Sequence, residues 1–169
     1  MKKILLIILC LSSYSLGFSW EKFYSVSGGC EILFPNKPHH IKQVVPLKES
    51  NSFLNYDVYL SFLDEKNSVC MMIVANFPNK IDISKQKDSL EGFLNGILNH
   101  KEEKKLIFAN YCEFNKLQAL EFLIENQDRY FKGKAFVLGD KLYLISMEYD
   151  INLNLDESFE KYANSFIFK

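Results

Sequence analysis

The sequence predicts an α+β fold in which helices pack on the faces of a central antiparallel β-sheet. Three observations carry this. Strand-like apolar segments recur along the chain, the breaks between the later ones are hairpin-sized, and two other segments shift to a helical period.

The elements follow in chain order. Lys2 and Lys3 precede "ILLIILCLSSYSLGF", a short apolar run ending in small residues, which is the layout of a secretory signal peptide. The run is shorter than the roughly 20 residues a spanning helix needs, and no later segment reaches that length. Small residues permit cleavage after Gly17 or after Ser19; the reading adopted is a signal peptide over 1–19 and one domain over 20–169, exported to the periplasm or beyond. Leu9 before Cys10 does not suit a lipidated cysteine.

In "FYSVSGGCEILFPNKP" (23–38), Gly28-Gly29 reads as a two-residue turn between two strands. Pro35 ends the second strand, and Pro38 keeps the exit extended. A phosphate loop would need a helix directly after the glycines, and "CEILFP" is a strand. "FLNYDVYLSFL" (53–63) is apolar at every even position from Leu54 to Phe62, so its even face is expected to meet the core and its odd face to be partly wet. "VCMMIVANF" (69–77) is apolar on both faces and is expected to be central.

In "KQKDSLEGFLNGILNH", Leu90, Phe93, Leu94, Ile97 and Leu98 form one helical stripe, with Ser84 as the expected N-cap. Four strands follow, "LIFANYCEF", "LQALEFLIEN", "RYFKGKAFVL" and "LYLISMEY", separated by breaks short enough for an antiparallel meander. "LDESFEKYANSFIF" closes the chain with a second helix, acids in its first turn and Phe159, Tyr162, Ala163 and Phe166 on one side.

The pattern aromatic-x-Ser-x-x-Gly-Gly-x-x-Ile-x-Phe-Pro-x-x-Pro, with a mid-chain helix, a late "GDKLYLISMEY" strand and a terminal "YANSFIF", resembles the PsbP-like superfamily of exported proteins. That superfamily includes a nuclear import factor that binds the Ran GTPase. The resemblance implies an α/β/α sandwich and a binding or assembly role without catalysis. It carries over no functional residue, because no site motif matches.

Charge and side-chain chemistry narrow the function. Without Lys2 and Lys3 the formal charge falls from −1 to −3, and Arg129 is the only arginine, so a nucleic-acid partner is not expected. Cys30, Cys70 and Cys112 allow at most one internal disulfide; their apolar surroundings favour buried thiols, and the spacing does not choose a pair. His39 and His40 point to opposite faces of an extended segment, so a metal site would have to combine one of them with His100 and a carboxylate. Asp57, Asp64 and Glu65 lack the spacing of a calcium loop and read as a wet face and a turn. No nucleophile-and-base motif or nucleotide loop occurs, and neither an enzyme activity nor a cofactor is expected.

One aromatic set does not fall on the expected core stripes. Phe53 and Tyr59 share the polar parity of their strand, and Ile107 and Tyr111 share a second face of theirs; a sheet with helices on both sides would bury them, and if no helix covers that face they form a candidate interaction patch. The sequence therefore reads as an exported, non-catalytic binding or assembly module with an envelope protein partner. The alternative is a small-molecule or lipid carrier with an apolar pocket between sheet and helix. Gly92 and Gly96 lie four apart in the first helix, where each costs about 1 kcal/mol against alanine, and they either bring the helix close to the sheet or leave room beside it.

Overall fold

A computed structural model describes residues 20–46, 52–63, 67–99 and 104–169. The expected signal peptide, Asp64, Glu65 and His100 lie outside the described residues.

Among the described residues, ten strands and two α-helices follow in the order β1 (Glu21–Ser25), β2 (Cys30–Phe34), β3 (His39–Pro46), β4 (Phe53–Leu63), β5 (Ser68–Asn76), α1 (Gln86–Leu98), β6 (Lys104–Phe114), β7 (Leu117–Asn126), β8 (Arg129–Leu138), β9 (Lys141–Asp150), α2 (Asp156–Asn164) and β10 (Ile167–Phe168). Seven strands form an antiparallel sheet of order β3-β4-β5-β9-β8-β7-β6. The expected meander thus divides into β3–β5 and β6–β9, joined where β5 pairs with β9. Helix α1 lies on one face over Leu120, Phe122, Leu142 and Leu144. Helix α2 covers the other face, where Phe159 and Tyr162 join a core with Phe34, Met72, Phe136 and Ile145. The α+β architecture expected from the sequence is present.

Local chemistry explains the boundaries. Asn115 and Lys116 both take positive φ between β6 and β7, Gln127 does so before β8, and Gly139 before β9, which gives the compact turns that hairpins require. The acids Asp156 and Glu157 occupy the first turn of α2. Two charges of β8 then fix that helix. Lys132 Nζ donates to Asp156 Oδ1 at 2.8 Å and Lys134 Nζ to Glu160 Oε2 at 3.0 Å, while both ammonium groups lie over the Phe159 ring. Pairing and aromatic contact together permit these lysines to be buried.

Several expectations need correction. The opening hairpin is separate from the main sheet: β1 and β2 join β10 in a three-stranded sheet on the α2 side. Its turn spans four residues, Val26 to Gly29, since strand pairing stops at Ser25 and Cys30. Because this hairpin lies over the second half of β4, the odd positions Asp57, Tyr59 and Ser61 are buried while Phe53 and Asn55 stay exposed; the even face expected to meet the core buries only Leu54 fully, with Tyr56, Val58 and Leu60 half-buried and Phe62 exposed. Ser84 is not the N-cap; a one-turn 3-10 helix (Ile83–Lys85) precedes α1, and the Asp82 carboxylate accepts from Ser84 N–H at 2.9 Å. That bond holds the Asp82 carboxyl below its ordinary range.

Candidate interaction surface

The expected patch does not assemble. Tyr59 is 3% exposed. Its ring stacks on His40 at 4.5 Å and meets Phe23 at 4.8 Å, and its hydroxyl accepts from Ser25 Oγ at 3.0 Å. The cause is the hairpin cover, which alternation within β4 does not reveal. Phe53, Ile107 and Tyr111 do reach solvent, at 56%, 41% and 38% exposure. Five strand positions separate β4 from β6, however, or roughly 24 Å at about 4.8 Å per strand. Ile107 sits at a β-bulge between Leu106 and Phe108. Tyr111 belongs to the α1 contact: its hydroxyl donates to Glu91 Oε1 at 2.8 Å, and Lys87 Nζ lies 5.1 Å from its ring. Desolvation and the Glu91 carboxylate push the phenol up to about 12.

An edge strand that the sequence reading passed over is more open. All eight residues of β3 are exposed, and among the described residues its only strand partner is β4. Ile41, Val44 and Val45 give it exposed apolar side chains on both faces. One polar contact pins it from beneath, His40 Nε2 lying 2.6 Å from Asp57 Oδ1. His39 is opposite Leu60 and so takes the other face, as adjacent residues in a strand must. The signal for β3 was "HIKQVVP", apolar residues interrupted by polar ones with a terminal proline, without the strict alternation of a half-buried strand.

The remaining chemistry is structural or modest. Among the described residues, Cys30, Cys70 and Cys112 are all free thiols. Burial pushes the Cys30 and Cys70 thiols up to about 12, and it raises the half-buried Cys112 as well. Among the described residues, no group of three or more His, Cys, Asp or Glu is placed to hold a metal ion. Arg129 is engaged, its Nε 2.6 Å from Glu148 Oε1 and its Nη2 donating to the Asn67 carbonyl at 2.6 Å. Beside it, a cleft of about 180 Å³ between the end of α1 and β7 to β9 is lined by Ile97, Ile124, Phe131 and Lys104 among others. Gly92 and Gly96 open on a groove, where an added Cβ would meet nothing within 4 Å.

The opening Gly-Gly is built into the core. Gly28 N–H donates to Ser25 Oγ at 3.1 Å, and the buried Tyr143 hydroxyl donates to the Gly28 carbonyl at 2.7 Å. Lys169 N–H donates to the Gly29 carbonyl at 2.9 Å, so the chain end closes on the same turn. With its polar groups satisfied internally, this turn holds the hairpin to the sheet.

No family model and no curated protein matches this sequence. Among solved structures, the chain is similar to the solution structure of cyanobacterial PsbP (CyanoP) from Synechocystis sp. PCC 6803, with a TM-score of 0.63 at 14% identity over 92% of this chain and 96% of that one. At this identity the likeness is one of fold, and the fold is PsbP-like.

Proposed function

With the PsbP-like fold as premise, we propose that this chain is an exported, non-catalytic binding or assembly module that engages a protein partner in the envelope through a sheet edge. The observation that carries the reading is β3, an edge strand exposed along its whole length, with Ile41, Val44 and Val45 available to a neighbour. An unpaired edge offers backbone donors and acceptors for strand addition, and side chains on alternate faces supply selectivity. The polar contacts described so far serve docking of the protein's own elements.

The test uses protein purified from its own envelope fraction. Native mass spectrometry is expected to show a second chain in fixed stoichiometry. The double substitution Ile41→Lys, Val44→Lys is expected to abolish that complex while leaving the melting temperature within a few degrees, because both residues are exposed. Retention of the complex by this variant would sink the edge reading.

The cleft beneath the end of α1 favours a second reading, a carrier of a small apolar molecule. Its apolar walls with Lys104 and Arg129 nearby match the pocket such a carrier needs. A small mass that disappears on denaturation, with no second chain present, would establish that reading instead.

A further inference from the structure

We propose that the partner at β3 is a second copy of this chain, added strand to strand about a two-fold axis at Gln43. The proposal rests on the strand-edge reading and names its occupant. Every residue of β3 is exposed, so no described element of the same chain stands over the edge.

Strand geometry limits how two copies can meet. An antiparallel pair related by a two-fold axis normal to the sheet sets residues of the same parity opposite each other. With Gln43 on the axis, Ile41 lies opposite Val45 of the second copy, Val45 lies opposite its Ile41, and the two Gln43 amides meet between them. Ile41, Gln43 and Val45 share one face, beside Val58, Tyr56 and Leu54 of β4. Leu54 belongs to the core beneath α1, so this pairing continues an apolar layer across the junction. On the other face Lys42 lies across from Val44 of the second copy, where its methylene stem covers the valine. His40 lies across from Pro46, whose missing N–H ends the ladder.

Neighbouring registers are worse. An axis at Lys42 sets the two ammonium groups directly opposite each other. One at Ile41 leaves Val44 and Val45 beyond the start of the other strand, and one at Val44 carries Ile41 past Pro46. The register at Gln43 alone sets every exposed aliphatic side chain of β3 against apolar surface with no like charges directly opposed. Lys42 is the strand's one lysine, and Asp57 of the same copy is its neighbour on β4.

The strand also lacks the devices that keep edges apart. The other edge of the sheet, β6, carries a bulge beside Ile107, whereas β3 pairs with β4 without interruption and has no proline before its last residue. A foreign strand would have to bring its own aliphatic pair at this spacing. A second copy brings it by symmetry, and the contact closes at two chains. A single strand pair is smaller than a standard interface of about 1,600 Å², so dissociation near about 10 μM is expected.

Sedimentation equilibrium of the chain purified from its own envelope fraction tests this, over about 1 to 200 μM. A monomer–dimer equilibrium is expected, and Ile41→Lys with Val44→Lys should weaken it at least about a hundredfold. Gln43→Cys should give a disulfide-linked dimer under mild oxidation, because directly opposed strand residues lie about 4.5–5.5 Å apart at Cα, within reach of a disulfide. Val45→Cys should not, since an offset of four strand positions separates the two copies' thiols by roughly 13 Å. These side chains are exposed, so melting temperatures within a few degrees of the parent confirm that folding is intact. A monomer at every concentration overturns the proposal, as does linking through Val45→Cys in preference to Gln43→Cys. A monomer that co-purifies with a different chain, released by Ile41→Lys with Val44→Lys, refutes self-pairing and leaves the strand-edge reading standing. A dimer of undiminished strength in that double variant overturns both.

Discussion

Gly28 and Gly29 adjoin in sequence, yet different forces constrain them. A Cβ on Gly28 would lie 2.8 Å from Cys30 Sγ, 3.0 Å from Ser25 Oγ and 3.1 Å from Val74 Cγ2, whereas Gly29 has open space but a φ of +57°. Gly28→Ala should therefore cost about 1–3 kcal/mol through overpacking, and Gly29→Ala about 1–2 kcal/mol through backbone strain. Denaturant unfolding measures both; a neutral Gly28→Ala would mean that the turn is not docked as described. The thiols give a second test at this scale. Cys30 and Cys70 are buried and protonated at pH 8, so of the three described cysteines a thiol reagent should label Cys112 alone until the protein unfolds. Their raised values also set a pH window. Stability that depends on neutral thiols is complete below the ordinary value of 9.0 and is lost as pH rises towards about 12. Cys70→Ala should flatten that alkaline loss, and an unchanged slope would contradict it.

At the scale of elements, period and punctuation were legible where each strand carried both. "LQALEFLIEN" and "RYFKGKAFVL" coincide with β7 and β8, because residues that accept positive φ separate them from their neighbours. β3 went unread since an edge strand with no buried face lacks the alternation that reveals a strand, and β10 is only two residues long. Tyr59 was misplaced for a different reason: alternation separates the two faces of β4 but says nothing of a hairpin that covers one of them from 30 residues away in sequence, as Ser25 and Tyr59 are related by |i−j| of 34. Helix α1 shows what the glycines allow. Since nothing lies within 4 Å of an added Cβ, Gly92→Ala and Gly96→Ala should each stabilise the protein by about 1 kcal/mol, read as a higher melting temperature. Loss of stability in either variant would reveal a close approach that the open groove does not contain. Helix α2 predicts the opposite sign. Phe159 is fully buried beneath two ammonium groups, and Phe159→Ala should cost about 3–5 kcal/mol.

The whole molecule is organised around one seam. The chain forms β3 to β5, crosses over the sheet through α1 to the far edge, and returns strand by strand until β9 reaches β5. Closing this pairing brings together residues distant in sequence, Val69 with Glu148 at one end and Asn76 with Lys141 at the other. Both helices and the small sheet lie above or below the seam, so each layer's core depends on it: Met72 and Ile145 belong to the α2 side, Ala75 and Leu142 to the α1 side. Opening β5 from β9 would expose both cores at once, and the two meanders should not unfold independently. The edges differ, because among the described residues β3 and β6 each have one strand neighbour but β3 has no buried residue, whereas β6 buries Phe114. Native-state hydrogen exchange should consequently find the slowest amides in β5, β8 and β9, at the free energy of global unfolding, and much faster exchange in β3. Equal protection across β3 and β9 would show that something covers the edge. Slow exchange confined to β6–β9, with β5 free to exchange, would show that the seam does not couple the halves. A mobile β3 beside a rigid seam is also the combination that strand addition requires, since a partner can pair with the edge without disturbing the core.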